Sequence, residues 1–480
     1  MDKKIILAVF LFLLLSIALL KIYLVNGVDW DFVAHYLSAK SADSNNFLNV
    51  IKQEVVSKQT SMQLGVVETG NIYFESYRAP LSILFFMVLY PILGHNSAIA
   101  YLMIMVILLF YATLYFSRKL GINYLFTASL FALPYLLIFT FVVNSEGMLS
   151  LILMIVALSL ESDNKWQSGI FIGLAGLAKY TSLIFLPMLL LLQGRKNIFK
   201  GYLSFAIVTL PWLVFNYIMF QNPLYSYLSS ISVSLESSAP SSISLIAIFN
   251  IVVFLIPAIM ILILLAFWYL KEKKKGIYEI FRKNVFKRPL IILISFLSLS
   301  IIEFIILGRH ESSFDQARYA YFLYGALAFL IAYAIDKLIP LIKNNKTCLK
   351  RSFIHNSDVI LFLFSAATIV GVLIILNTGM HASLTSGSQN SIFANVVSEI
   401  KRLNMYNCTF VSNDWVYLRY YNITAYSPYF YNSSIETFPV IVINSIGTSS
   451  NAVYLGFHKK IYSNASFSIY LSNSNNEPHC

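Results

Sequence analysis

The stretch VNGVDWDFVAHYLSAKSA, residues 25–42, places two carboxylates and a histidine directly after an apolar N-terminal segment. Asp29, Asp31 and His35 are residue types that accept and donate protons in catalysis, so general acid–base chemistry is the first candidate. Ionisable side chains at the edge of an apolar run are costly, and they are functional candidates where they face a cavity. The chemistry of these three residues depends on which other side chains lie beside them in the folded protein.

The composition is that of an integral membrane protein. Of 480 residues, 58% are hydrophobic and 12% are charged, whereas a soluble globular protein carries about 25% charged residues. The net charge of +12 comes from Lys and Arg in short clusters between apolar runs. This pattern orients a membrane protein, so no nucleic-acid partner is expected. The three cysteines are too few for a disulfide framework or a zinc site.

The basic clusters predict the orientation of the chain. Lys3 and Lys4 precede the first apolar run, so the N-terminus is predicted to be cytoplasmic and loop 26–96 to lie outside. The apolar part of 81–93 is shorter than the ~20 residues of a spanning helix. If 81–93 is a re-entrant or surface helix, every later basic cluster falls inside. The result is about eleven transmembrane helices in a plasma membrane, with an extracellular C-terminus.

The chain is predicted to have two parts. Residues 1–377 form an α-helical, polytopic transmembrane catalytic domain, and residues 378–480 form a small extracytoplasmic α/β domain. Within the second part, 408–421 and 439–445 are predicted strands, and 392–403 is a predicted amphipathic helix. The second part also carries sequons that suit an external location, at Asn407, Asn422, Asn432 and Asn464.

With this orientation, acids and cations from four chain regions are predicted on the outer face. They are Asp29, Asp31, His35, Arg78, Glu146, Lys179, Arg309, His310, Glu311, Asp315 and Arg318. An acid can accept the proton of an attacking hydroxyl, and fixed cations can bind a phosphate and stabilise the charge that it gains on leaving. The collection predicts group transfer from a polyprenyl-phosphate carrier to an extracellular acceptor. Each residue taken alone also has a plain interpretation, that of a solvated loop residue.

Six motifs, in one order along the chain, resemble the polytopic membrane glycosyltransferases of the GT-C class. The most similar members are the dolichyl-phosphate-mannose protein mannosyltransferases and the bacterial aminoarabinose lipid A transferases. The motifs are DWDFVAHYLSAKS (29–41), YRAPLSILFF (77–86), NSEGM (144–148), GLAGLAKYTSLIFLP (173–187), LPWLVFNYIMFQNPLYSY (210–227) and ARYAYFLYGALAFLIAY (317–333). The last motif lacks the prolines that are usual in the class.

The resemblance implies roles for the acidic residues. Asp31 is the first choice for the general base that deprotonates the acceptor hydroxyl, and Asp29 is the second. Asp29 has the alternative of capping a short helix that begins near Trp30. His35 either orients the base, touches the donor phosphate or is a satisfied interfacial histidine. Glu146 either lines the acceptor or sugar side or is a plain loop acid.

The resemblance also implies that several cations bind the lipid phosphate and the sugar. These are Arg78, Lys179, Arg309, His310 and Arg318. Arg78 has the alternative of snorkelling at the membrane boundary. No metal is assigned. Asp31 and Glu146 with a phosphate could hold Mg²⁺ or Mn²⁺, while Arg and Lys could neutralise the phosphate without one.

The implied function is an inverting transfer of a sugar, by resemblance a mannose, from polyprenyl (dolichyl) phosphate to a hydroxyl. The acceptor is a protein or a lipid-linked molecule, and the composition fits protein glycosylation at an archaeal cell envelope. The alternative is a polytopic transporter or flippase of lipids or sugars. Transporters often contain internal repeats, and no repeat relates the two halves of this sequence.

Overall fold

A computed structural model describes the parts of the chain that carry the fold and most of the candidate site. The described residues are 3–26, 30–57, 66–69, 72–132, 145–161, 163, 165–192, 195–236, 259, 263, 288–308, 319–343, 396–405, 409–412, 415–426, 440–445, 459–463 and 467–471. The chain divides into two compact units. The helical unit contains Met1–Lys21 and Tyr77–Met380, and the mixed unit contains Ile22–Ser76 and His381–Cys480.

Helices dominate the described part of the chain. In chain order they are α1 (Lys3–Asn26), α2 (Trp30–Ser41), α3 (Phe47–Ser57), α4 (Pro80–Leu93), α5 (Ser97–Leu120), α6 (Tyr124–Phe131), α7 (Ser145–Glu161), α8 (Ser168–Ala178), α9 (Met188–Leu192), α10 (Arg195–Phe220), α11 (Tyr225–Glu236), α12 (Arg288–Gly308), α13 (Tyr321–Lys343) and α14 (Trp415–Tyr420). A further helix covers 396–402. Short 3₁₀ helices cover Gly94–Asn96 and Tyr180–Phe185.

Three helices within the described residues are long and apolar enough to span a membrane: Ser97–Leu120, Asn197–Phe220 and Pro289–Leu307. Several shorter apolar helices accompany them, including Ile6–Leu20 and Tyr321–Asp336. Large apolar side chains remain exposed on α10, as at Ile207 and Leu210. Exposed apolar side chains on a long helix suit contact with lipid. The structure therefore agrees with a helical membrane protein.

Helix α4 contains the short apolar segment that the basic clusters singled out. It has 14 residues, starts with Pro80 and contains Pro91, whereas a spanning helix needs about 20 residues. Its inner side is buried at Ile83 and Phe86, and the Phe86 ring stacks on Tyr101 of α5 with centroids 4.8 Å apart. This length suits a re-entrant or surface helix, and its placement in the membrane stays a prediction.

Helices α8 and α10 approach closely at glycines. A Cβ atom on Gly169 would lie 2.0 Å from the Gly201 carbonyl oxygen and 2.4 Å from Ser204 Oγ. Small residues at such crossings let helix backbones pack closely in membrane proteins. Gly325 is different, since the nearest atom to a Cβ there is Leu151 Cδ1 at 2.9 Å, the end of a flexible side chain. Of these two glycines, only Gly169 has backbone atoms in the space that a Cβ atom would occupy.

We therefore expect Gly169→Ala to destabilise the protein by about 1–3 kcal/mol, the usual effect of overpacking. Gly325→Ala is the matched control and should change stability little, because Leu151 can change rotamer. Thermal unfolding of the two variants in detergent micelles checks the difference. Equal midpoints for both variants would contradict the tight crossing of α8 and α10.

Within the described ranges, the mixed unit contains two sheets. Strands β1 (Val66–Thr69) and β2 (Ile72–Glu75) pair in antiparallel fashion. Five further strands form the second sheet, β3 (Thr409–Ser412), β4 (Ala425–Tyr426), β5 (Val440–Ser445), β6 (Lys459–Ser463) and β7 (Phe467–Leu471). Their order is β4-β3-β5-β7-β6. β3 is parallel to β4 and β5, and β7 is antiparallel to β5 and β6.

One of the two predicted strands is shorter in the structure than expected, and the other is present. The strand expected over 408–421 ends at Ser412, and Trp415–Tyr420 forms the helix α14, in which every residue is buried. The aromatic residues that raise β-propensity there pack instead against α2, as Tyr420 does with Tyr36 at 5.1 Å. Packing with a distant segment has overridden the local preference. The strand expected over 439–445 is present as β5.

Candidate active site

The chain changes direction at Lys179. Helix α8 stops before it, and Lys179 has an extended backbone (φ −154°, ψ 121°) ahead of the 3₁₀ helix. The Ala175 carbonyl near the helix end accepts hydrogen bonds from Ser150 Oγ at 3.1 Å and Ser182 Oγ at 3.0 Å. The Ala175 carbonyl also accepts from the Lys179 N–H at 2.9 Å, and Ser182 Oγ lies 2.6 Å from the Lys179 carbonyl oxygen. The two serines therefore stabilise the break at which Lys179 lies.

Arg78 and Glu146 form a buried ion pair. Arg78 Nη1 lies 3.0 Å from Glu146 Oε1, and the two side chains are only 8% and 11% exposed. Arg78 lies two residues before Pro80, the first residue of α4, and Glu146 lies in the first turn of α7, where a helix dipole favours an acid. A buried charge is tolerated only with a close partner. Each of the two buried charges is therefore stabilised by the other.

Tyr180 connects this pair to the break at Lys179. Its hydroxyl donates to the Arg78 carbonyl oxygen at 3.0 Å and accepts from Trp212 Nε1 at 2.9 Å. The Tyr180 ring also packs against the ring of Tyr227, with centroids 4.2 Å apart. Side chains from α10 and α11 thus fix the backbone at Arg78 through one tyrosine.

A second carboxylate lies beside Lys179. Glu303, on α12, is 2% exposed, and its Oε1 accepts from Thr181 Oγ1 at 3.1 Å and from the Tyr321 hydroxyl at 3.3 Å. Lys179 Nζ lies 4.7 Å from the ring centroid of Tyr319 and 5.3 Å from that of Tyr321. Tyr321 thus contacts both the Glu303 carboxyl group and the Lys179 ammonium. Lys179 and Glu303 therefore belong to one cluster.

Sequence reasoning did not find Glu303. Its signal is nevertheless present, because it is the single acid in the apolar run PLIILISFLSLSIIEFIILG, residues 289–308. An ionisable residue inside such a run is by default a functional candidate. Its Oε2 is buried, and among the residues that the structure describes none donates a hydrogen bond to that atom. Glu303 therefore lies in the same cluster as Lys179, through their shared neighbour Tyr321.

The remaining predicted residues divide between the mixed unit and the undescribed part of the chain. Asp31 lies in the first turn of α2. His35 is buried, and its Nδ1 lies 2.5 Å from the Asp31 backbone carbonyl one turn earlier. The contact described for this histidine is therefore with the Asp31 backbone and not with the Asp31 carboxylate. Asp29, Arg309, His310 and Arg318 lie outside the described residues.

The two acids of this cluster, Glu146 and Glu303, both have protein partners. Glu146 pairs with Arg78, and Glu303 accepts from Thr181 and Tyr321. Within the described ranges, no three residues of the types His, Cys, Asp and Glu come together as ligands for a metal. The chemistry that the described geometry offers to a phosphate is that of Arg78 and Lys179.

The comparisons with known proteins give the class. Residues 79–276 match the sequence profile of glycosyltransferase family 87. The matched range begins one residue after Arg78 and includes Glu146 and Lys179. The match confirms the expectation of a glycosyltransferase. A transporter or flippase is disfavoured by the same match. A comparison with curated protein sequences gave no significant match.

The fold is similar to solved structures over nearly its whole length. ArnT from Cupriavidus metallidurans bound to undecaprenyl phosphate matches with a TM-score of 0.59 and 12% identity, covering 96% of this chain and 98% of that one. The apo state of the same enzyme gives 0.58, again with 12% identity, over 96% and 97% of the two chains. The resemblance to the GT-C class is thereby confirmed as one of fold.

A third similarity is weaker. It is to an Archaeoglobus fulgidus oligosaccharyltransferase tethered to an acceptor peptide, with a TM-score of 0.45 and 11% identity over 92% of this chain and 69% of that one. No conclusion is drawn from this third similarity. The profile match over residues 79–276 and the fold shared with ArnT identify the protein as a glycosyltransferase with a GT-C-like helical membrane fold.

Proposed function

We propose that the protein transfers a sugar from a polyprenyl-phosphate carrier to a hydroxyl acceptor on the outer face of the plasma membrane. The observation that carries the proposal is the linked placement of two cations, Arg78 and Lys179, in the helical unit. Tyr180 and Thr181 follow Lys179 directly, and they bond to Arg78 and to Glu303. The similar ArnT structure contains undecaprenyl phosphate, which supports a donor of this lipid class.

Each of the two cations has a protein partner, and this explains how they are tolerated without a substrate. A lone cation in an apolar bundle is costly; Arg78 pairs with Glu146, and the Lys179 ammonium lies against the rings of Tyr319 and Tyr321. A donor phosphate would bring its own negative charge to the same cations. The guanidinium is suited to this because its planar fork of N–H donors can engage more than one oxyanion group.

The proposed reaction is a single inverting displacement. Asp31 accepts the proton of the acceptor hydroxyl, and the hydroxyl oxygen forms a bond to the anomeric carbon of the sugar. The bond between that carbon and the phosphate oxygen breaks with its electron pair, and the polyprenyl phosphate leaves with one more negative charge. Arg78 and Lys179 stabilise this developing charge. No step requires a metal.

We propose Glu303 as a positioning residue. Its carboxylate bonds the hydroxyl of Tyr321, and the ring of Tyr321 lies beside Lys179 Nζ. Glu303 would therefore hold the ring against which the ammonium packs. For the finer assignments we propose a mannosyl donor on dolichyl phosphate, a protein or lipid-linked acceptor, and an archaeal cell envelope, all from the motif resemblance. We also propose a second-choice base at Asp29, a residue at His35 that orients the base or contacts the phosphate, and phosphate- or sugar-binding cations at Arg309, His310 and Arg318.

The test is transfer of radiolabelled sugar from polyprenyl phosphate in isolated membranes. We expect Lys179→Met to lower kcat/KM for the donor by about 10- to 100-fold, since a charged hydrogen bond or ion contact to phosphate is lost. Glu303→Gln should raise the donor KM about threefold to tenfold with a smaller change in kcat, because Lys179 is retained but less well held.

Lys165→Met is the matched control, since Lys165 is about half exposed and pairs with Asp163. It should transfer like the unmodified protein. Unchanged donor kinetics in Lys179→Met, with equal protein in the membrane, would remove Lys179 from the site. An effect of Glu303→Gln on protein level alone would reduce Glu303 to a structural residue.

A further inference from the structure

The mixed unit contains a cavity of about 340 Å³ that the transfer chemistry does not use. It lies where the C-terminal end of α2 meets the segment from α14 to β4. Its polar lining comes from Lys40, Ser41, Ser44, Arg419, Asn422 and Thr424. A volume of this size is within the range of small-molecule sites, which are ~300–1,000 Å³.

Two cations line this cavity, and the described lining includes no Asp or Glu. Lys40 Nζ donates to Asn422 Oδ1 at 2.5 Å, and Arg419 Nε donates to the Ala425 carbonyl at 2.6 Å. Both of these acceptors are neutral. Arg419 is 8% exposed, and its guanidinium lies 5.4 Å from the Trp415 ring centroid. The second cation is thus held in place by packing and by the backbone.

The two cations are close enough to affect each other. Burial, and then the positive charge of Arg419, lower the pKa of Lys40. Like charges that share a partly buried site repel, and an anion between them relieves the repulsion and gains charged hydrogen bonds. A cavity whose described lining contains two cations and no Asp or Glu is therefore suited to a negatively charged ligand.

The other residues that line the cavity indicate further properties of the ligand. Ser44 and Thr424 add hydroxyls and Asn422 adds an amide, while Leu37 and Ile423 form an apolar part of the wall. Hydroxyls and an amide beside an apolar wall suit a group that carries several hydroxyls of its own. We propose that this cavity binds an oxyanion on a sugar-sized, polyhydroxylated group, either the carboxylate of a uronic acid or the phosphate of a sugar phosphate.

This inference goes beyond the proposed transfer. For an enzyme of that function the bound group would be an anionic part of the acceptor, but the binding itself does not depend on the donor or on catalysis. It can therefore be measured separately from transfer, and each proposal can fail without the other.

The experiment is equilibrium titration of the purified full-length protein in detergent micelles. The protein is made in a host without N-glycosylation, because Asn422 begins an N-I-T sequon. The probes are glucuronate, glucose 6-phosphate and glucose, which share a ring and differ in charge. We expect one or both anions to bind at least about tenfold more tightly than glucose, as charged hydrogen bonds require. The tighter anion tells a carboxylate ligand from a phosphate ligand.

Lys40→Met should weaken binding of the tighter anion about tenfold, and Lys40→Arg should restore most of it. Lys52→Met, at an exposed lysine on α3, is the matched control and should bind like the unmodified protein. Lys40 is chosen over Arg419 because Arg419 is buried and its loss could prevent folding. Lys179→Met should bind the anion normally, while its kcat/KM for the donor falls by about 10- to 100-fold.

Two results would overturn the inference. One is equal binding of glucose and both anions. The other is unchanged anion binding in a folded Lys40→Met protein, as judged by its thermal unfolding midpoint.

Discussion

Replacing Asp31 with asparagine is expected to lower the rate of sugar transfer by about 10²- to 10⁴-fold, the range that general base catalysis contributes. Asparagine keeps the size of the side chain and removes its ability to take a proton. Donor binding should change little, because the donor phosphate is assigned to Arg78 and Lys179. The measurement is kcat and donor KM in membranes supplied with radiolabelled donor.

Asp43→Asn is the matched control for this change. Asp43 is an exposed acid in the turn between α2 and α3, so it tests the loss of a negative charge in the same unit. It should transfer normally. The pH dependence adds a second readout, since Asp31→Asn should lose the fall in kcat at acid pH that protonation of a base produces. Normal turnover in Asp31→Asn would require another base, with Asp29 the next candidate.

Replacing Arg78 with methionine is expected to abolish most transfer and also to destabilise the protein. Loss of one partner from a buried pair leaves the Glu146 carboxylate without its cation, which costs about 3–5 kcal/mol. Loss of a charged contact to the leaving phosphate should lower kcat/KM by about 100-fold or more, by analogy with removal of a donor from an oxyanion site. The two effects must be separated before the result can be assigned to the site.

The double variant Arg78→Met/Glu146→Gln separates them. It removes both charges, so the unfolding midpoint should recover most of what Arg78→Met alone loses. Transfer should not recover, because the phosphate contact is still absent. Recovery of transfer together with stability would show that Arg78 serves packing alone, and the proposed role in binding phosphate would be wrong.

An exposed ion pair in the same unit is the reference. Lys119 Nζ and Asp163 Oδ2 are 2.7 Å apart, and both side chains are partly exposed, at 31% and 26%. Exposed pairs contribute little to stability. Lys119→Met should therefore leave the unfolding midpoint nearly unchanged, and it should not affect transfer. Unfolding in detergent micelles compares the two pairs directly.

The class of the protein was predictable from the sequence because membrane insertion depends on local composition. A window of about 20 residues is enough to recognise an apolar helix, and basic clusters predict orientation without knowledge of any tertiary contact. Arg78 and Lys179 could be singled out from the sequence, since each is an isolated charge within an apolar motif, and their role at the donor phosphate stays a prediction. The glycosyltransferase class followed from the order of such motifs, and the match over 79–276 confirms it.

The partners of those residues were not predictable, because they come from distant parts of the chain. Arg78 and Glu146 are 68 positions apart, and Thr181 and Glu303 are 122 positions apart. Periodicity and composition carry information about neighbours in the chain, whereas these contacts arise only when helices pack. The same reason explains why 415–420 is a helix: its environment comes from α2, nearly 400 positions earlier.

The cavity at Lys40 depends on tertiary structure in the same way. Lys40 and Asn422 are 382 positions apart, and each taken alone is an ordinary polar residue near the end of a helix. The sequence by itself determined that this is a helical membrane enzyme with cations in apolar motifs. Only the tertiary structure decided which carboxylates stand beside those cations and which segments enclose a second charged site, because both are set by packing between segments that share no local pattern.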